Sequence, residues 1–293
     1  MTPAGSPLAN RICLVAGASR GVGRGIARAL GEAGATVIVT GRSSEAGPHT
    51  DQRPETFEDA AREVEAAGGK GHPYRCDHTS EREVDGLVSW ALRRFGRLDC
   101  VIDAVWGGNE GYDGERYPDG SAYGTPFWRR PAGRLGQSFE AGVYAQLLLA
   151  RAVAPAMVQM RSGLIVTVSF DTAPGYLGDI FYDVAKTAAN RLSFAMAQEL
   201  APFGVTALGL SPGHVLTERV RDAGLAGDTT ETPLYAGRAV AALAADPQVA
   251  RHAGQVLHVA DLARLYGFTD RDGSQPGRYL INDKTGGDDV AQG

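Results

Sequence analysis

The feature that most constrains this chain is a regular alternation of short apolar runs with longer segments of helical periodicity. The runs are rich in β-branched residues and apolar throughout, which is typical of strands buried on both faces. Strands that alternate with helices are joined by crossovers, so they form a parallel sheet with helices on both faces. The sequence therefore predicts an α/β fold, a doubly wound parallel sheet in a three-layer αβα sandwich. The predicted strands are Arg11–Ala16, Thr36–Thr40, a strand that reaches Cys76-Asp77, Leu98–Val105, Leu164–Val168, Val205–Leu210 and Gln255–Val259.

The helical segments carry their own start and stop signals. Ser80 and Glu83, for example, are spaced as a capping box. A chain of 293 residues can form one large α/β domain or two small ones, and we expect a single domain over residues 1–293, with the polar stretch from Thr269 on its surface. The predicted helices are Pro54–Ala67, a segment from Ser80 to Phe95, Ser138–Met160, a segment that begins at Phe181, and Leu234–Ala245.

Composition and charge exclude several classes of protein. Apolar residues make up 43% and charged residues 22% of the chain, as in ordinary soluble globular proteins. The net charge of −5 gives no electrostatic basis for binding nucleic acid or an anionic membrane. No apolar run approaches the roughly 20 residues that span a bilayer, and Met1–Asn10 lacks the pattern of an export signal. Cys13, Cys76 and Cys100 are interpreted as buried, reduced thiols of a cytoplasmic protein, and no metal site is predicted.

A glycine-rich turn joins the first strand to the first helix. Gly17–Gly23 reads Gly-x-x-x-Gly-x-Gly, and Val22, Ile26 and Leu30 lie on one face of the helix that follows. Glycines let the backbone turn tightly and approach a pyrophosphate, which then lies at the positive end of the helix. The place of the motif, between strand and helix near the N-terminus, predicts Rossmann-type dinucleotide binding.

The end of the second strand bears on the choice of cofactor. In dinucleotide folds an acidic residue about 20 positions beyond the glycines binds the adenosine ribose, whereas an arginine suits a 2′-phosphate. Here Gly41 and Arg42 follow Thr36–Thr40, and Arg20 is available inside the glycine turn. Two guanidiniums that converge on a phosphate dianion favour NADP(H) over NAD(H).

The stretch from Ser169 to Lys186 carries candidate catalytic residues. It follows the buried strand Leu164–Val168 and becomes helical at Phe181, so Tyr182 and Lys186 share one helix face. Ionising a tyrosine of pKa about 10 near pH 7 costs roughly 4 kcal/mol. An ammonium about 5 Å away, at an effective dielectric near 20, supplies on the order of 3 kcal/mol. The pair therefore predicts a general acid or base.

Residues 107–136 interrupt the alternation of strands and helices. A connection this long in a compact domain is usually functional or disordered, and it leaves the carboxyl end of a strand, where open α/β sheets bind ligands. We interpret it as a substrate-covering insertion; an oligomer contact and a floppy insertion are the alternatives. Besides many glycines and prolines, the insertion carries the aromatic residues Tyr112, Tyr117, Tyr123, Phe127 and Trp128.

Taken together, these residues resemble the short-chain dehydrogenase/reductase family over nearly the whole chain. A closer resemblance, at Val105–Gly108, Ser169-Phe170 and Asp261–Gly267, is to the branch called dehydrogenase/reductase member 1-like. The family motifs that match are the glycine turn at Gly17–Gly23, the adenine-contacting aspartate at Asp77, Tyr-x-x-x-Lys at Tyr182 and Lys186, and the Pro-Gly turn beside the nicotinamide at Pro212-Gly213.

The resemblance implies roles for the matching residues. Tyr182 would exchange a proton with the substrate oxygen, Lys186 would bind the nicotinamide ribose and lower the pKa of Tyr182, and Ser169 would hydrogen-bond the substrate carbonyl. The cofactor would supply the hydride, and the two long helices would form a homodimer or homotetramer. With the arginines above, the residues expected to bind the cofactor are Gly17, Ser19, Arg20, Gly21, Val22, Gly23, Arg42, Asp77, Lys186, Pro212, Gly213, Val215 and Thr217.

Four departures from the family pattern matter. Ala16 replaces a threonine, and the family's Asn-Asn-Ala-Gly reads Asp103–Trp106, so a carboxyl replaces an amide. Gly142 aligns with the helix asparagine that orders a water beside the lysine, which weakens the proton relay. Strand register also permits Phe170 at the serine position, and the site would then lack its oxyanion donor. The spacing to the tyrosine favours Ser169.

The sequence thus predicts an NADP(H)-dependent oxidoreductase, of carbonyl reductase type, that acts on a carbonyl or alcohol of a small organic substrate. Two alternatives remain open: a cofactor-dependent enzyme with a non-redox reaction, such as a cyclisation or dehydration, and a non-catalytic NADP(H)-sensing protein.

Overall fold

Parallel strands form the centre of the protein. The structure, a computed structural model, describes residues 5–173, 175–227 and 230–279. Seven of the strands form one sheet in the order β3-β2-β1-β4-β5-β6-β9, and β7 and β8 pair separately. The strands in chain order are β1 (Ile12–Ala16), β2 (Thr36–Gly41), β3 (Lys70–Arg75), β4 (Cys100–Asp103), β5 (Gly163–Val168), β6 (Val205–Ser211), β7 (His214–Val215), β8 (Thr230–Glu231) and β9 (Val256–His258).

Helices cover both faces of this sheet. Every neighbouring pair of strands in the sheet is parallel, and the strand order reverses direction between β1 and β4. The predicted doubly wound, Rossmann-type three-layer α/β fold is therefore confirmed. The helices are α1 (Gly21–Glu32), α2 (Phe57–Ala66), α3 (Glu81–Phe95), α4 (Gly133–Phe139), α5 (Ala145–Met160), α6 (Ile180–Leu200), α7 (Glu218–Asp222), α8 (Pro233–Ala245) and α9 (Val259–Tyr266).

The burial of β1 shows why an uninterrupted apolar run specifies a central strand. Side chains of a strand point alternately to opposite faces. Cys13 and Val15 pack into the core beneath α1, α2 and α8, whereas Leu14 and Ala16 pack into the core beneath α3, α5 and α6. Both faces are covered, so every position is apolar. The three cysteines are free and buried, as the sequence predicted.

The capping box predicted at the start of α3 forms only in part. The Ser80 hydroxyl accepts a hydrogen bond from the Glu83 backbone N–H at 3.4 Å. The Glu83 carboxylate does not complete the reciprocal bond, because it accepts from the Asp77 backbone N–H at 2.9 Å and pairs with Arg75. The glutamate therefore fixes the end of β3 rather than the first residue of the cap.

A continuous helical segment, Gly133–Met160, comprises α4, a π-helical turn over Glu140–Tyr144, and α5. It begins five residues earlier than the predicted start at Ser138, within the predicted insertion. By length and composition alone this segment could cross a membrane, although Glu140 and Arg151 interrupt its apolar sequence. Its Leu149 and Met157 are buried in the core beneath the sheet, and core helices of soluble proteins meet the same criterion.

The described part of the C-terminal stretch lies mostly on the surface, as predicted from Thr269: residues 271–275, 277 and 278 are exposed. Asp270 and Tyr279 are the points at which it is attached to the rest of the fold. Asp270 is buried, and its carboxylate accepts a hydrogen bond from the Thr232 backbone N–H at 2.7 Å. Tyr279 reaches a cavity at the carboxyl edge of the sheet. The stretch from Thr269 to Tyr279 is therefore part of the folded structure, and the rest of the predicted tail lies outside the described residues.

Candidate active site

The carboxyl edge of the sheet contains a cavity of about 860 Å³. Ligand-binding pockets commonly have volumes in this range. Every residue that the sequence predicted to be catalytic or to bind the cofactor lines this one cavity. These residues are Gly17, Ser19, Arg20, Gly21, Val22, Gly23, Arg42, Asp77, Ser169, Tyr182, Lys186, Pro212, Gly213, Val215 and Thr217.

The glycine turn leaves β1 in a conformation that few other residues adopt. Gly17 has φ +71°, and a Cβ atom there would lie 2.9 Å from the backbone of Ala104, at the end of the neighbouring strand β4. Helix α1 then begins at Gly21 with no side chain of Arg20 capping it. The first N–H groups of the helix therefore face the cavity, at the positive end of the helix dipole.

A carboxylate from α7 lies at this helix end. Glu218 Oε2 accepts a hydrogen bond from the Gly21 backbone N–H at 2.8 Å. Because a helix N-terminus favours negatively charged acceptors, the carboxylate occupies a position that suits an anion. No local pattern identifies this residue from the sequence, because Glu218 is far from the glycine turn along the chain.

The helix that carries the tyrosine and the lysine is held at its start by Asp179. One oxygen of this carboxylate accepts hydrogen bonds from the backbone N–H groups of Phe181, at 2.9 Å, and Tyr182, at 3.1 Å. The other oxygen accepts from the Arg130 guanidinium at 2.9 Å, in an ion pair whose side chains are both buried. Arg130 belongs to the predicted insertion, so the insertion is attached to the start of α6.

Burial dominates the electrostatics of the Tyr182–Lys186 pair. The Nζ atom of Lys186 lies 5.5 Å from the centre of the Tyr182 ring. Burial raises the pKa of Tyr182 above its ordinary value of 10, and Tyr123 adds to the shift. Burial also lowers the pKa of Lys186 to about 8, against the opposing effect of Asp103. Burial thus determines the net shift of the Tyr182 pKa, and the phenol is held in its neutral form. The expected lowering of this pKa by Lys186 stays a prediction.

Ser169 and Phe170 both line the cavity, but their side chains make different contacts. The Ser169 hydroxyl donates to the Lys186 backbone carbonyl at 3.2 Å. The Phe170 ring lies 6.2 Å from the Tyr182 ring, measured between centres. The aromatic residue thus neighbours the tyrosine, and the serine hydroxyl is engaged with the backbone of α6.

Asp103 occupies the position of the family's amide at the end of β4. It is buried, and its Oδ1 accepts from the Val105 backbone N–H at 2.9 Å. Burial raises its pKa to about 7, with smaller opposing effects of the Val105 hydrogen bond and Lys186. The carboxyl therefore shapes the turn that follows β4 and adds a titratable group next to the lysine.

The two arginines expected to bind the cofactor, Arg20 and Arg42, have protein partners. Arg20 donates to Ser43 Oγ at 3.1 Å and to the carbonyl of Thr50. Arg42 pairs with the carboxylate of Glu110 from the insertion. Both guanidiniums line the same cavity, as predicted, but their present hydrogen bonds point to neighbouring side chains and backbone.

Other side chains complete the lining and were not assigned from the sequence. Trp106 stands where the family has a small residue, and its indole lies beside the Tyr182 ring and the Lys186 ammonium. His78 is buried and hydrogen-bonds the Thr40 hydroxyl at 2.8 Å. Tyr123 of the insertion and Tyr279 of the C-terminal stretch reach the cavity from two further directions. The sequence signals were the aromatic content of the insertion, for Tyr123, and the departure from the family pattern at Asp103–Trp106, for Trp106.

Comparisons with known proteins agree with this geometry. A family model described as short chain dehydrogenase matches residues 11–226. Dehydrogenase/reductase SDR family member 1 of Mus musculus is 36% identical over 287 residues, which cover 92% of this chain and 85% of that protein. Among solved structures, a metagenomic short-chain oxidoreductase in complex with NADP has a TM-score of 0.65 at 25% identity, over 86% of this chain and 97% of that one. A 7α-hydroxysteroid dehydrogenase complexed with NADH and 7-oxo glycochenodeoxycholic acid has a TM-score of 0.71 at 22% identity, over 96% and 100% of the two chains, and shows likeness of fold.

The chain therefore belongs to the short-chain dehydrogenase family, a class of oxidoreductases. The identity to the murine family member 1 protein also confirms the resemblance to the dehydrogenase/reductase member 1-like branch.

Proposed function

We propose that this protein is an NADP(H)-dependent oxidoreductase of carbonyl reductase type, which transfers a hydride between nicotinamide and a carbonyl or alcohol of a small organic molecule. The observation that carries the proposal is that the Tyr182–Lys186 pair, the glycine turn and the Pro212-Gly213 turn line one cavity. A dinucleotide needs such a turn for its pyrophosphate, and the reaction needs a proton-transferring group beside the nicotinamide.

The residues at the glycine turn fit a dinucleotide. Gly17 brings the backbone of β1 so close to Ala104 that a side chain would be excluded, and this leaves the cavity open beside the turn. The Gly21 N–H already hydrogen-bonds an anionic oxygen, that of Glu218. We infer that the residues from Gly17 to Gly23 hold the pyrophosphate, that Asp77 contacts the adenine, and that Pro212, Gly213, Val215 and Thr217 hold the nicotinamide end.

When bound, the cofactor supplies or accepts the hydride; the chain supplies the proton and the positions of the reactants. Because burial raises the pKa of Tyr182, its hydroxyl is protonated at neutral pH and suits a general acid that protonates the oxygen of a carbonyl under reduction. The Lys186 ammonium stabilises the phenolate that remains. We assign Ser169 the hydrogen bond to the substrate oxygen. To form it, the Ser169 hydroxyl leaves the Lys186 carbonyl and donates to the substrate instead.

The arginines support NADP(H) rather than NAD(H). Arg20 and Arg42 lie on the same cavity at the adenosine end, and guanidinium groups suit a 2′-phosphate. The carboxylate of Glu110 now pairs with Arg42, and we infer that a 2′-phosphate replaces it. The complex of a structural relative with NADP is consistent with this choice.

We propose that residues 107–136 cover the substrate. Tyr123 lines the cavity near Tyr182, while the Arg130–Asp179 ion pair attaches the insertion to the catalytic helix. We further propose a single domain in the cytoplasm that associates as a homodimer or homotetramer. Exposed apolar side chains of α5 and α6, Leu147 and Phe194 among them, support an interface through these helices.

The proposed activity is tested by oxidation of NADPH in the presence of a panel of ketones, aldehydes and quinones. We expect Tyr182→Phe to lose at least about two orders of magnitude in rate, the scale of general acid catalysis. Tyr176→Phe is the matched control, because Tyr176 is half exposed in the loop before α6, and its rate should equal that of the native protein. Equal rates for Tyr182→Phe and the native protein would remove Tyr182 from the mechanism.

The hydrogen bond of Ser169 supports a second candidate function, that of a cofactor-dependent enzyme with a non-redox reaction. The serine hydroxyl is engaged with the Lys186 carbonyl, so a site that uses only the neutral Tyr182 as an acid could carry out a cyclisation or dehydration. Such an enzyme forms product with no net change in nicotinamide absorbance. An NADP(H) sensor is distinguished by binding without any turnover and by a Tyr182→Phe variant with unchanged cofactor binding and cellular output.

A further inference from the structure

The indole of Trp106 lies against both members of the catalytic pair. Lys186 Nζ is 4.1 Å from the centre of the Trp106 ring, closer than its 5.5 Å separation from the Tyr182 ring. The Tyr182 ring meets the indole nearly at right angles, at 74° and 5.3 Å between centres. The indole N–H donates to Asn109 Oδ1 at 3.3 Å, which fixes the plane of the ring from its far side.

Two glycines form the space that this indole fills. A Cβ atom on Gly142 would lie 2.6 Å from Cζ3 of Trp106, and one on Gly108 would lie 2.4 Å from Cζ2. Neither glycine has a φ in the left-handed region, so the space, and not backbone freedom, demands glycine. Gly142 also lies in the π-helical turn between α4 and α5, and π-helical turns often mark functional sites.

The surroundings of the lysine give the indole an electrostatic task. Lys186 is only 6% exposed, and a buried ammonium loses the hydration that stabilises its charge. The charged group that acts on it is Asp103 at the end of β4, while Tyr182 on its own helix and Tyr123 of the insertion are phenols. The face of an aromatic ring attracts a cation, and most strongly where water is excluded.

We propose that Trp106 is a positioning residue of the active site, whose indole holds the Lys186 ammonium beside Tyr182, and that Gly142 and Gly108 are glycines because the indole needs their space. The inference rests on the proposed function only in the role it gives to the Tyr182–Lys186 pair. The contact between the indole and the ammonium stands without it.

A direct consequence distinguishes this role from mere packing. The ring favours the charged form of the lysine, so its removal should lower the pKa of Lys186 further. If Trp106 only filled space, its replacement could reduce activity. The pKa of Lys186 would then be the same with leucine at position 106 as with tryptophan.

The chain is well suited to a direct measurement, because it contains only three lysines, Lys70, Lys186 and Lys284. Protein labelled with a carbon isotope at the lysine ε position gives one NMR signal for each lysine, and Lys186→Arg assigns the signal of Lys186. We expect its pKa to fall by about 0.5–1.5 units in Trp106→Leu, and by less in Trp106→Phe, which keeps a ring. An unchanged Lys186 pKa in both variants would overturn the proposal.

Substitution of the glycine tests the same contact from the other side. Gly142→Ala adds one methyl group whose three nearest atoms all belong to the indole, so it should displace the ring and lower the Lys186 pKa as Trp106→Leu does. In the Trp106→Leu background the same alanine should have no further effect. Gly136→Ala is the control, because a Cβ atom there, in α4, meets nothing within 4 Å. A Lys186 titration unaffected by Gly142→Ala would refute the role of Gly142.

The titration needs no turnover, so the two proposals fail separately. If the Lys186 pKa is the same in the tryptophan variants as in the native protein, and the native protein oxidises NADPH, only the role of Trp106 is refuted. An inactive native protein whose Lys186 pKa falls in the tryptophan variants would refute only the proposed function. If Trp106→Leu does not fold, Trp106→Phe and Gly142→Ala carry the test, with thermal unfolding to verify that each variant is native.

Discussion

The Glu218 carboxylate accepts a hydrogen bond from the Gly21 backbone N–H, at 2.8 Å, across the entrance of the glycine turn. The first turn of α1 therefore has an anionic partner from its own chain. A dinucleotide that places its pyrophosphate on this helix end must displace that carboxylate and also lies close to its negative charge. Glu218 thus opposes binding of the proposed cofactor.

We expect Glu218→Gln to bind NADPH more tightly. The amide keeps the size of the side chain but removes the negative charge, which is worth roughly 1 kcal/mol at a helix end, or about fivefold in Kd. Isothermal titration of both proteins with NADPH measures the difference. Glu81→Gln, at an exposed carboxylate on α3 paired with Arg151, is the control and should bind as the native protein does. Weaker binding by Glu218→Gln would show that the carboxylate supports the cofactor site.

Replacement of Arg42 should separate the two nicotinamide cofactors. We expect Arg42→Met to weaken NADPH binding by roughly 1.5–3 kcal/mol, the contribution of hydrogen bonds to charged groups, and to leave NADH binding nearly unchanged. The guanidinium now pairs with Glu110 at the cavity wall, so it is free to exchange partners without unfolding. Arg53→Met, on an arginine paired with Glu55 outside the cavity lining, provides the comparison. Equal losses for NADPH and NADH would argue against a 2′-phosphate site.

His78 should make the protein less stable in mild acid. Burial lowers its pKa from 6.5 to about 4, so between these values the unfolded chain binds a proton that the folded protein does not. Its contribution to the free energy of unfolding is complete above pH 6.5 and decreases as the pH falls towards 4, by roughly 3 kcal/mol in total.

The measurement compares urea unfolding of the native protein and His78→Gln at several pH values. Asp103 and Glu231 have pKa values raised by burial to about 7. Their contributions to the free energy of unfolding therefore increase as the pH falls, and they do so in both proteins. The difference between the two proteins isolates the histidine. A constant difference from pH 7 to pH 4 would contradict the assignment.

The buried ion pair between Arg130 and Asp179 should be important for stability. Arg130→Met leaves a carboxylate buried without its partner, and we expect a loss of about 3–5 kcal/mol in the free energy of unfolding. Asp179→Asn in the same chain removes the uncompensated charge and should recover part of that loss. Arg151→Met, which breaks the exposed pairs with Glu81 and Asp85, should cost less than about 1 kcal/mol. Similar losses for the two arginines would mean that the buried pair is not coupled to the fold.

Local patterns were sufficient for the framework of this protein. The alternation of Cys13 and Val15 with Leu14 and Ala16 is readable as a strand with two covered faces, and the spacing of Tyr182 and Lys186 places them on one helix face. Strand ends that share one edge of a parallel sheet bring their motifs together. The residues that the sequence predicted for the site therefore line one cavity.

Contacts between distant segments were beyond the reach of such patterns. In the sequence, Gly142 indicates a weakened proton relay because it replaces the family's asparagine. In the structure it makes room for Trp106, and no sequence periodicity connects these two residues. The spacing of Glu83 predicts a bond to the Ser80 N–H, and only the placement of β3 decides that it binds the Asp77 N–H instead. The direction of the Tyr182 pKa shift depends on how deeply the phenol is buried, and spacing along a helix carries no information about depth.

The double use of Asp179 has a consequence for engineering this chain. One oxygen of the carboxylate caps α6 and the other accepts from Arg130, so the insertion is attached, near its own C-terminal end, to α6. At its other end the insertion is held by Asn109, which accepts a hydrogen bond from the Trp106 indole, and by Glu110, which pairs with Arg42. Chimeras that graft a relative's loop up to position 129 should keep the helix start intact, whereas a graft that carries any residue other than arginine into position 130 must bring its own counter-ion for Asp179.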